Sequence, residues 1–277
     1  MSKQLFRATV LLVFLLAISA VPTSVSAEPQ EKSEPVRITS NPLGEWEPQW
    51  SPDGSMLSYG SGEPGDQNVA IIDVKTGEEI LLTERLPFVH ATTWSPDGHD
   101  IAYATGAETK NGFVSHIYSV GVKDKKIRQL TQVESIDGSP AWSPDRTVIA
   151  FPSRRSGTFN IWLQPVDGSD ATMVTDHPGL DHGPEWSPDG KAIAFHSTRG
   201  ESSSIWILQL EDGTLTQLTD DEGNDQYPDW SPDGTHIAFH SDRSGNQDIW
   251  IQSVDAGEAM QVTTKAAMDS RPSWSPD

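Results

Sequence analysis

The sequence contains no cysteine, so no disulfide stabilises the fold and no lipid is attached through a thiol. Basic residues are scarce: 19 Lys and Arg stand against 40 Asp and Glu, which gives a formal net charge of −21. A protein this acidic repels nucleic acid and anionic membrane surfaces, whereas attraction to cations or basic partners stays open. The sequence also lacks a Gly-x-Ser-x-Gly, a His-Glu-x-x-His and a phosphate-binding glycine loop, so it carries no catalytic signature.

Long apolar runs are missing as well. The longest, Val10–Ala20, follows two basic residues and is short for a membrane span, which needs about 20 residues. Val25–Ala27 then supplies the small residues that a signal peptidase requires. We therefore predict a signal peptide over residues 1–27, a linker over 28–35, and a periplasmic or secreted protein that has no stable membrane insertion after cleavage. An uncleaved anchor is the alternative.

The motif Trp-Ser-Pro-Asp, by contrast, occurs six times. Its steps are 44, 48, 44, 44 and 44 residues, and a constant period of about 40 to 50 residues indicates a solenoid, a propeller or an array. The tryptophans that open the six copies are Trp50, Trp94, Trp142, Trp186, Trp230 and Trp274. A tryptophan repeated at one position is expected to pack between neighbouring units.

Each unit holds four short β-rich runs. Between Trp186 and Trp230, the runs after the one that ends at Trp186 are Ala192–Phe195, Ile205–Leu208 and Leu215–Thr219, with turn residues between them. Four antiparallel strands in about 44 residues predict one blade of a β-propeller.

The Ser-Pro-Asp-Gly corner is a turn with a physical basis. Pro presets φ at the second position, and the final Gly adopts the positive φ that lets the next strand pair back. Arg146 replaces that Gly in the third copy. We therefore predict that Arg146 is forced to a positive φ and that its turn is the weakest of the set.

The order Trp-Ser-Pro-Asp-Gly, Ile-Ala-Phe, Ser-x-Arg, Ile-Trp, Asp-Gly, Leu-Thr resembles the repeat of TolB-like six-bladed propellers over residues 36–277. The resemblance implies an all-β, six-bladed β-propeller with five complete four-stranded blades and the start of a sixth. It also implies that an N-terminal strand, here Val36–Thr39, closes the last blade. TolB itself has an α/β domain before its propeller, for which the linker leaves no room. The sixth copy stops inside its turn at Asp277, so we expect the sequence to be a fragment truncated in blade six.

The loops that enter strand one and the loops between strands two and three lie on the same face of this propeller. We predict that this face carries the site, because charged residues recur on it. The position five before each repeated Trp is acidic in five of the six copies, and Val89 is the exception. The acids are Glu45, Asp137, Asp181, Asp225 and Asp269, and the arginines on the same face are Arg155, Arg199 and Arg243. Either these charges fix loop geometry by pairing with one another, or they form an anionic mouth for a cation or a basic peptide.

Histidines add two more candidates, His90 and His182, at matching places directly after the position that is acidic in most copies. A metal site needs three or four convergent ligands, and sequence alone shows no convergence here. We therefore assign no metal and no cofactor, and a cation at the channel mouth is the one ligand of that kind that stays open.

Two interpretations of function remain. In the first, the chain is a non-enzymatic, exported binding module whose acidic loop face holds a protein or peptide partner in the cell envelope. In the second, it is the N-terminal propeller of a larger secreted hydrolase, either a prolyl-oligopeptidase-type serine peptidase or an amidohydrolase, whose catalytic domain lies beyond Asp277.

Overall fold

The computed structural model describes residues 12–13, 36–39, 44–219, 222–255 and 257–276. Every regular element within these ranges is a β-strand. Twenty strands form five antiparallel four-stranded sheets, and each sheet takes its strands from one repeat. The prediction of an all-β propeller is therefore confirmed, with one sheet per blade. The described ranges contain no helix that is long and apolar enough to cross a membrane.

The strands of each blade follow one another in the chain. Blade one consists of β3 (Glu45–Trp50), β4 (Met56–Glu63), β5 (Asp66–Asp73) and β6 (Glu79–Leu81). Blade two consists of β7 (His90–Trp94), β8 (Asp100–Thr109), β9 (Gly112–Gly121) and β10 (Ile127–Gln129). Blade three consists of β11 (Ala141–Trp142), β12 (Val148–Ser153), β13 (Asn160–Pro165) and β14 (Thr172–Met173). Blade four consists of β15 (Asp181–Trp186), β16 (Ala192–Ser197), β17 (Ser204–Gln209) and β18 (Leu215–Gln217). Blade five consists of β19 (Gln226–Trp230), β20 (His236–Ser241), β21 (Asp248–Ser253) and β22 (Met260–Gln261).

The core lies between blades. One buried cluster combines Ile161 of blade three with Trp186, Ile193 and Phe195 of blade four, and the other clusters between blades likewise take residues from two neighbours. A four-stranded sheet has two faces, so each blade buries apolar surface only by packing against its neighbours. The predicted role of the repeated tryptophan is confirmed for Trp94, Trp142, Trp186 and Trp230, which lie in these interfaces.

The number of blades differs from the expectation. The six-bladed prediction is wrong, because the described residues form five blades. The motif marks only the end of strand one, so six copies of it do not require six sheets. Residues 269–276, which carry the sixth copy, pair with no described strand and contain none themselves. They join blade five to blade one through side chains: Trp274 Nε1 donates to Asp229 O at 3.1 Å, and Arg271 pairs with Glu47 at 2.7 Å.

The N-terminal strand is also placed differently from the prediction. Val36–Arg37 (β2) pairs with Leu12–Val13 (β1) rather than with the last blade. In blade five, β22 already supplies the fourth strand from the same repeat. Apart from Leu12–Val13, the predicted signal peptide and linker, residues 1–35, lie outside the described residues.

The predicted positive φ of Arg146 is confirmed, and the weakness of its turn remains a prediction. Its φ is +65°, and the glycines at the equivalent position of the other turns have φ between +68° and +72°. A non-glycine residue in this region costs on the order of 1 kcal/mol. We expect Arg146→Gly to raise the free energy of unfolding by up to that amount, measured by urea denaturation. Loss of the ion pair between Arg146 and Asp97, which is 2.6 Å long but largely exposed, offsets only part of the gain.

Gly190→Ala is the matched control for Arg146→Gly. Its new Cβ would lie 3.7 Å from Pro144 and meet no clash, so the variant carries only the backbone strain. It should lose about the same 1 kcal/mol that Arg146→Gly gains. A lower stability of Arg146→Gly would contradict the strain at this turn.

Candidate functional site: the channel and its mouth

The inner ends of the blades enclose a channel with a volume of about 60 Å³. Its lining comes from the one to three residues before each repeated Trp, in all five blades and in residues 271–272. The lining residues with polar side chains are Glu47, Gln49, Thr92, Thr93, Ser139, Glu185, Tyr227 and Arg271. The repeat therefore builds a ring of similar backbones and fills it with different side chains.

Strand one bulges at the third residue before the Trp. The register slips at this point in β3, β7, β15 and β19, where the bulged strand carries an extra residue. The residues there have φ between +48° and +58°, as does Arg271: they are Glu47, Ala91, Gly183, Tyr227 and Arg271. All five of these residues line the channel. The bulge thus places this position, whatever its residue type, at the site.

Side chains of the preceding blade hold several of these bulges. His196 Nδ1 accepts the N–H of Tyr227 at 3.3 Å, and His240 Nδ1 accepts the N–H of Arg271 at 3.3 Å. A carboxylate oxygen of Glu47 accepts the N–H of Ala91 in the same way. Both imidazoles must be neutral and carry their proton on Nε2 to accept these bonds. Their recurrence in the repeat therefore has a structural cause.

Three of the predicted acids are paired with the three predicted arginines. In blade four, Arg199 Nη2 donates to both carboxylate oxygens of Asp181 at 2.8 Å, while Ser197 Oγ donates to Asp181 and accepts from Arg199 Nε. The guanidinium also lies over the rings of Phe195 and Trp206. We call this unit the Asp–Ser–Arg clamp. The full set of bonds recurs in Asp137–Ser153–Arg155. In the third copy, Asp225–Ser241–Arg243, Arg243 bonds Ser241 and Asp225 Oδ2, but Asp225 Oδ1 is buried with no hydrogen-bond partner among the described residues.

The clamps lie beneath the loop face rather than on it. Their Asp side chains are 0% exposed and their Arg side chains 9–11% exposed. Each acid is neutralised by its own guanidinium, so these charges cancel inside the blades. That these six residues contact a partner remains a prediction.

The other two acids are also covered. Glu45 begins β3 opposite Ser61 and is buried. Asp269 is buried, its backbone N–H donates to Gln247 O, and burial raises the pKa of its carboxyl group. Neither residue lies among those that line the channel.

His90 and His182 lie close to the residues that line the channel. His90 Nε2 is 3.7 Å from Glu47 Oε1, and His182 stacks between Phe159 and His196. Arg271 lies with its guanidinium carbon 3.6 Å from the ring centre of Tyr227. We define the channel mouth as Glu47, His90, His182, Tyr227 and Arg271.

The imidazoles around the mouth are neutral. The pKa of His182 is lowered to about 4, mainly by burial and to a smaller extent by the nearby His90 and Arg271. Burial and Arg271 likewise lower the pKa of His240 to about 4. The pKa of His90 is lowered by burial although Glu47 opposes the shift. The mouth thus carries one guanidinium and one carboxylate as its formal charges at pH 7.

Two carboxyl groups lie close to one another, and one of them, that of Glu185, belongs to a residue that lines the channel. Glu185 and Asp229 directly precede Trp186 and Trp230, and both are half-buried. Burial raises the pKa of Asp229 to about 7, although the Trp274 N–H donates to its Oδ2 at 2.5 Å. Burial and the neighbouring Asp229 raise the pKa of Glu185 well above its ordinary value. This pair holds protons that ordinary surface carboxyls would have lost at neutral pH.

Metal coordination requires three or more converging donors. Among the described residues, no three His, Asp or Glu side chains come together closely enough to hold one ion.

The family model described as the TolB beta propeller domain matches residues 35–177 and 160–277. The protein belongs to this family. A Tol-Pal system protein TolB from Bordetella pertussis is 39% identical over 127 residues, which are 45% of this chain and 28% of that protein. The match therefore spans less than a third of this TolB relative's length.

Solved TolB structures share the fold. TolB from Acinetobacter baumannii superposes with a TM-score of 0.78 at 22% identity, over 88% of this protein and 60% of the other. A putative TolB from Agrobacterium tumefaciens gives a TM-score of 0.73 at 24% identity, over 88% and 90% of the two proteins. At these identities the likeness shows a TolB-like fold.

Sequence reasoning missed the centre of this TolB-family site. Glu47, Tyr227 and Arg271 were not predicted, because a search for repeats finds residues that recur at one position and these three do not. The useful signal is the opposite: the third position before Trp differs in every copy, although Pro follows it in five of the six. A position that the scaffold leaves free to vary is where a repeat protein can place a specific site.

Proposed function

We propose that this protein is a non-enzymatic binding module of the cell envelope that holds a protein or peptide partner at the channel mouth. In this proposal residues 1–27 direct export and are removed, and the propeller acts in the periplasm or outside the cell. Membership of the TolB family and the name of its relative, a Tol-Pal system protein, support an envelope partner.

One observation carries the proposal. Five blades of similar backbone converge on one opening, where the third residue before the Trp differs from copy to copy and Glu47, Tyr227 and Arg271 adopt strained positive φ. Strain of this kind persists where the surrounding structure supports it and is concentrated at binding sites. Of the two interpretations of the predicted charges, pairing within a blade describes Asp137, Asp181 and Asp225, and at the mouth Arg271 faces Glu47.

Hydrolysis is the alternative use of this face. Ser139 Oγ lies 3.4 Å from His90 Nδ1, and His90 Nε2 lies 3.7 Å from Glu47. Both separations exceed the 2.6–3.2 Å of a working nucleophile–base–acid relay. Glu47 is moreover already paired with Arg271 at 2.7 Å. The geometry of these three residues therefore favours binding over catalysis at this face, and it does not bear on the hydrolase domain that the second interpretation places beyond Asp277.

Site-specific photo-cross-linking in the expressing cell tests the proposal. A photoreactive residue at Asn111 or Glu201, exposed on the loop face, should give a discrete adduct with an envelope protein. The same residue at Asp212, exposed in a turn on the opposite face, is the control and should give none. Equal adducts from both faces, or covalent labelling of Ser139 by a fluorophosphonate, would contradict the proposal.

A further inference from the structure

Arg271 differs from the arginines of the Asp–Ser–Arg clamps. The side chains of those three arginines are 9–11% exposed, and each is paired with a fully buried Asp of the same repeat. Arg271 is 25% exposed and reaches across to Glu47 of blade one, at 2.7 Å. Its guanidinium therefore borders the open channel instead of being enclosed in a blade.

Glu47 is a shared partner. Its carboxylate accepts the N–H of Ala91, lies 3.7 Å from His90 Nε2 and pairs with Arg271. One acceptor group thus serves donors from both sides of blade one. Among the residues of the channel mouth, the remaining groups are neutral imidazoles and Tyr227, so Glu47 is the one that supplies a negative charge there.

The space beside Arg271 is small. A volume of about 60 Å³ holds a few water molecules or a carboxylate group. Tyr227 supports the guanidinium plane at 3.6 Å, so little conformational entropy is lost when an anion binds. Planar guanidinium groups bind carboxylates through two parallel hydrogen bonds.

We propose that Arg271 anchors a carboxylate of the partner in the channel, beside the ion pair with Glu47. This rests on the proposed function, since it names the chemistry by which a protein or peptide partner is recognised. The carboxylate belongs either to the C-terminal residue of a polypeptide or to the side chain of an Asp or Glu. The negative net charge of the protein favours a basic partner. At this site, however, a basic peptide would be repelled by the positive guanidinium of Arg271.

Four short probes separate these sources. N-acetyl-Gly-Gly and its C-terminal amide test the terminal carboxylate, and N-acetyl-Asp amide and N-acetyl-Asn amide test the side chain. Binding to the full-length protein is followed by titration of the Nε–Hε signal of Arg271 in ¹⁵N-resolved spectra. We expect one or both acids to bind at least tenfold more tightly than the matching amide. Equal binding of acid and amide would overturn the inference.

Three variants locate the binding. Arg271→Gln should lose at least tenfold in affinity, measured by signals of neighbouring residues. Arg154→Gln, which removes an exposed arginine elsewhere on the loop face, should leave affinity unchanged. Glu47→Gln keeps an acceptor for Ala91 but releases Arg271, so it should bind the acids several-fold more tightly. Undiminished binding to Arg271→Gln, or weaker binding to Glu47→Gln with an intact near-ultraviolet spectrum, would overturn the inference.

The two proposals fail separately. If loop-face cross-links persist in Arg271→Gln while no acid probe binds the wild type, the carboxylate anchor is wrong and the binding module stands. If the acid probes bind but the loop face gives no adduct, the site exists and the proposed protein partner is wrong.

Discussion

Asp181→Asn is expected to lower the free energy of unfolding by about 3–5 kcal/mol, the cost of leaving one partner of a buried ion pair without the other. Asp181 is fully buried, and it receives two hydrogen bonds from Arg199 and one from Ser197. The Asn side chain carries no charge. The positive guanidinium of Arg199 would therefore lie against Phe195 and Trp206 without a negative charge to balance it. A domain of this kind has a total stability of about 5–15 kcal/mol, so the loss should be plain in a urea titration.

Two controls test whether the clamp is the cause. Lys191→Gln removes an exposed ion pair with Asp189 in the same blade, and it should cost less than about 1 kcal/mol. The double variant Asp181→Asn/Arg199→Met should recover part of the loss, because it removes the stranded charge as well. If the double variant loses more stability than Asp181→Asn and Arg199→Met lose in sum, the clamp does not act as a pair.

Asp229→Asn is expected to stabilise the protein at pH 8 and to have little effect near pH 4. The carboxyl pKa is 3.8 when unperturbed and about 7 in the folded protein. Between these values the folded state binds more protons than the unfolded state, so stability falls as pH rises through the window. The amide removes that dependence and still accepts the Trp274 N–H. The gain should be on the order of 3–4 kcal/mol above pH 7, measured by denaturation at a series of pH values.

Asp233→Asn supplies a control of opposite sign in the same blade. Hydrogen bonds from Ser231 and Thr235 lower the pKa of Asp233 to about 2. Here the unfolded state binds more protons between about pH 2 and 3.8, so the native carboxylate contributes stability above that window and loses it below. Asp233→Asn should therefore be less stable than wild type at pH 8. If Asp229→Asn were also destabilised at pH 8, the ionised Asp229 carboxylate would not destabilise the folded protein as we expect.

Much of the blade was predictable from local pattern. The runs predicted at Ala192–Phe195 and Ile205–Leu208 lie within β16 (Ala192–Ser197) and β17 (Ser204–Gln209). The positive φ of Arg146 was predictable too, because a turn's geometry depends on four consecutive residues. These features need only neighbouring residues and the alternation of side chains along a strand.

The site was less predictable, because its groups act through distant partners. The acids at Asp137, Asp181 and Asp225 suggested an open anionic mouth as one of two interpretations, and the structure encloses all three in clamps. A pattern of charge in a sequence does not say which charges meet inside a blade. Glu47 and Arg271 carry no repeat signature, and they meet only where the first and last repeats come together.

By itself, the sequence determined the strands, the turns and the tryptophan interfaces of a TolB-family propeller, because these follow from interactions between residues close in sequence and from their repetition. Only the tertiary structure decided the count of five blades, the pairing of Asp137, Asp181 and Asp225 with arginines, and the guanidinium at the channel mouth. The reason is the distance along the sequence between the residues that meet. Ser273, for example, donates a hydrogen bond to Gln49, which is 224 positions away, where the first and last repeats come together. Contacts over such distances depend on how the blades close on one another, and no local pattern specifies that closure.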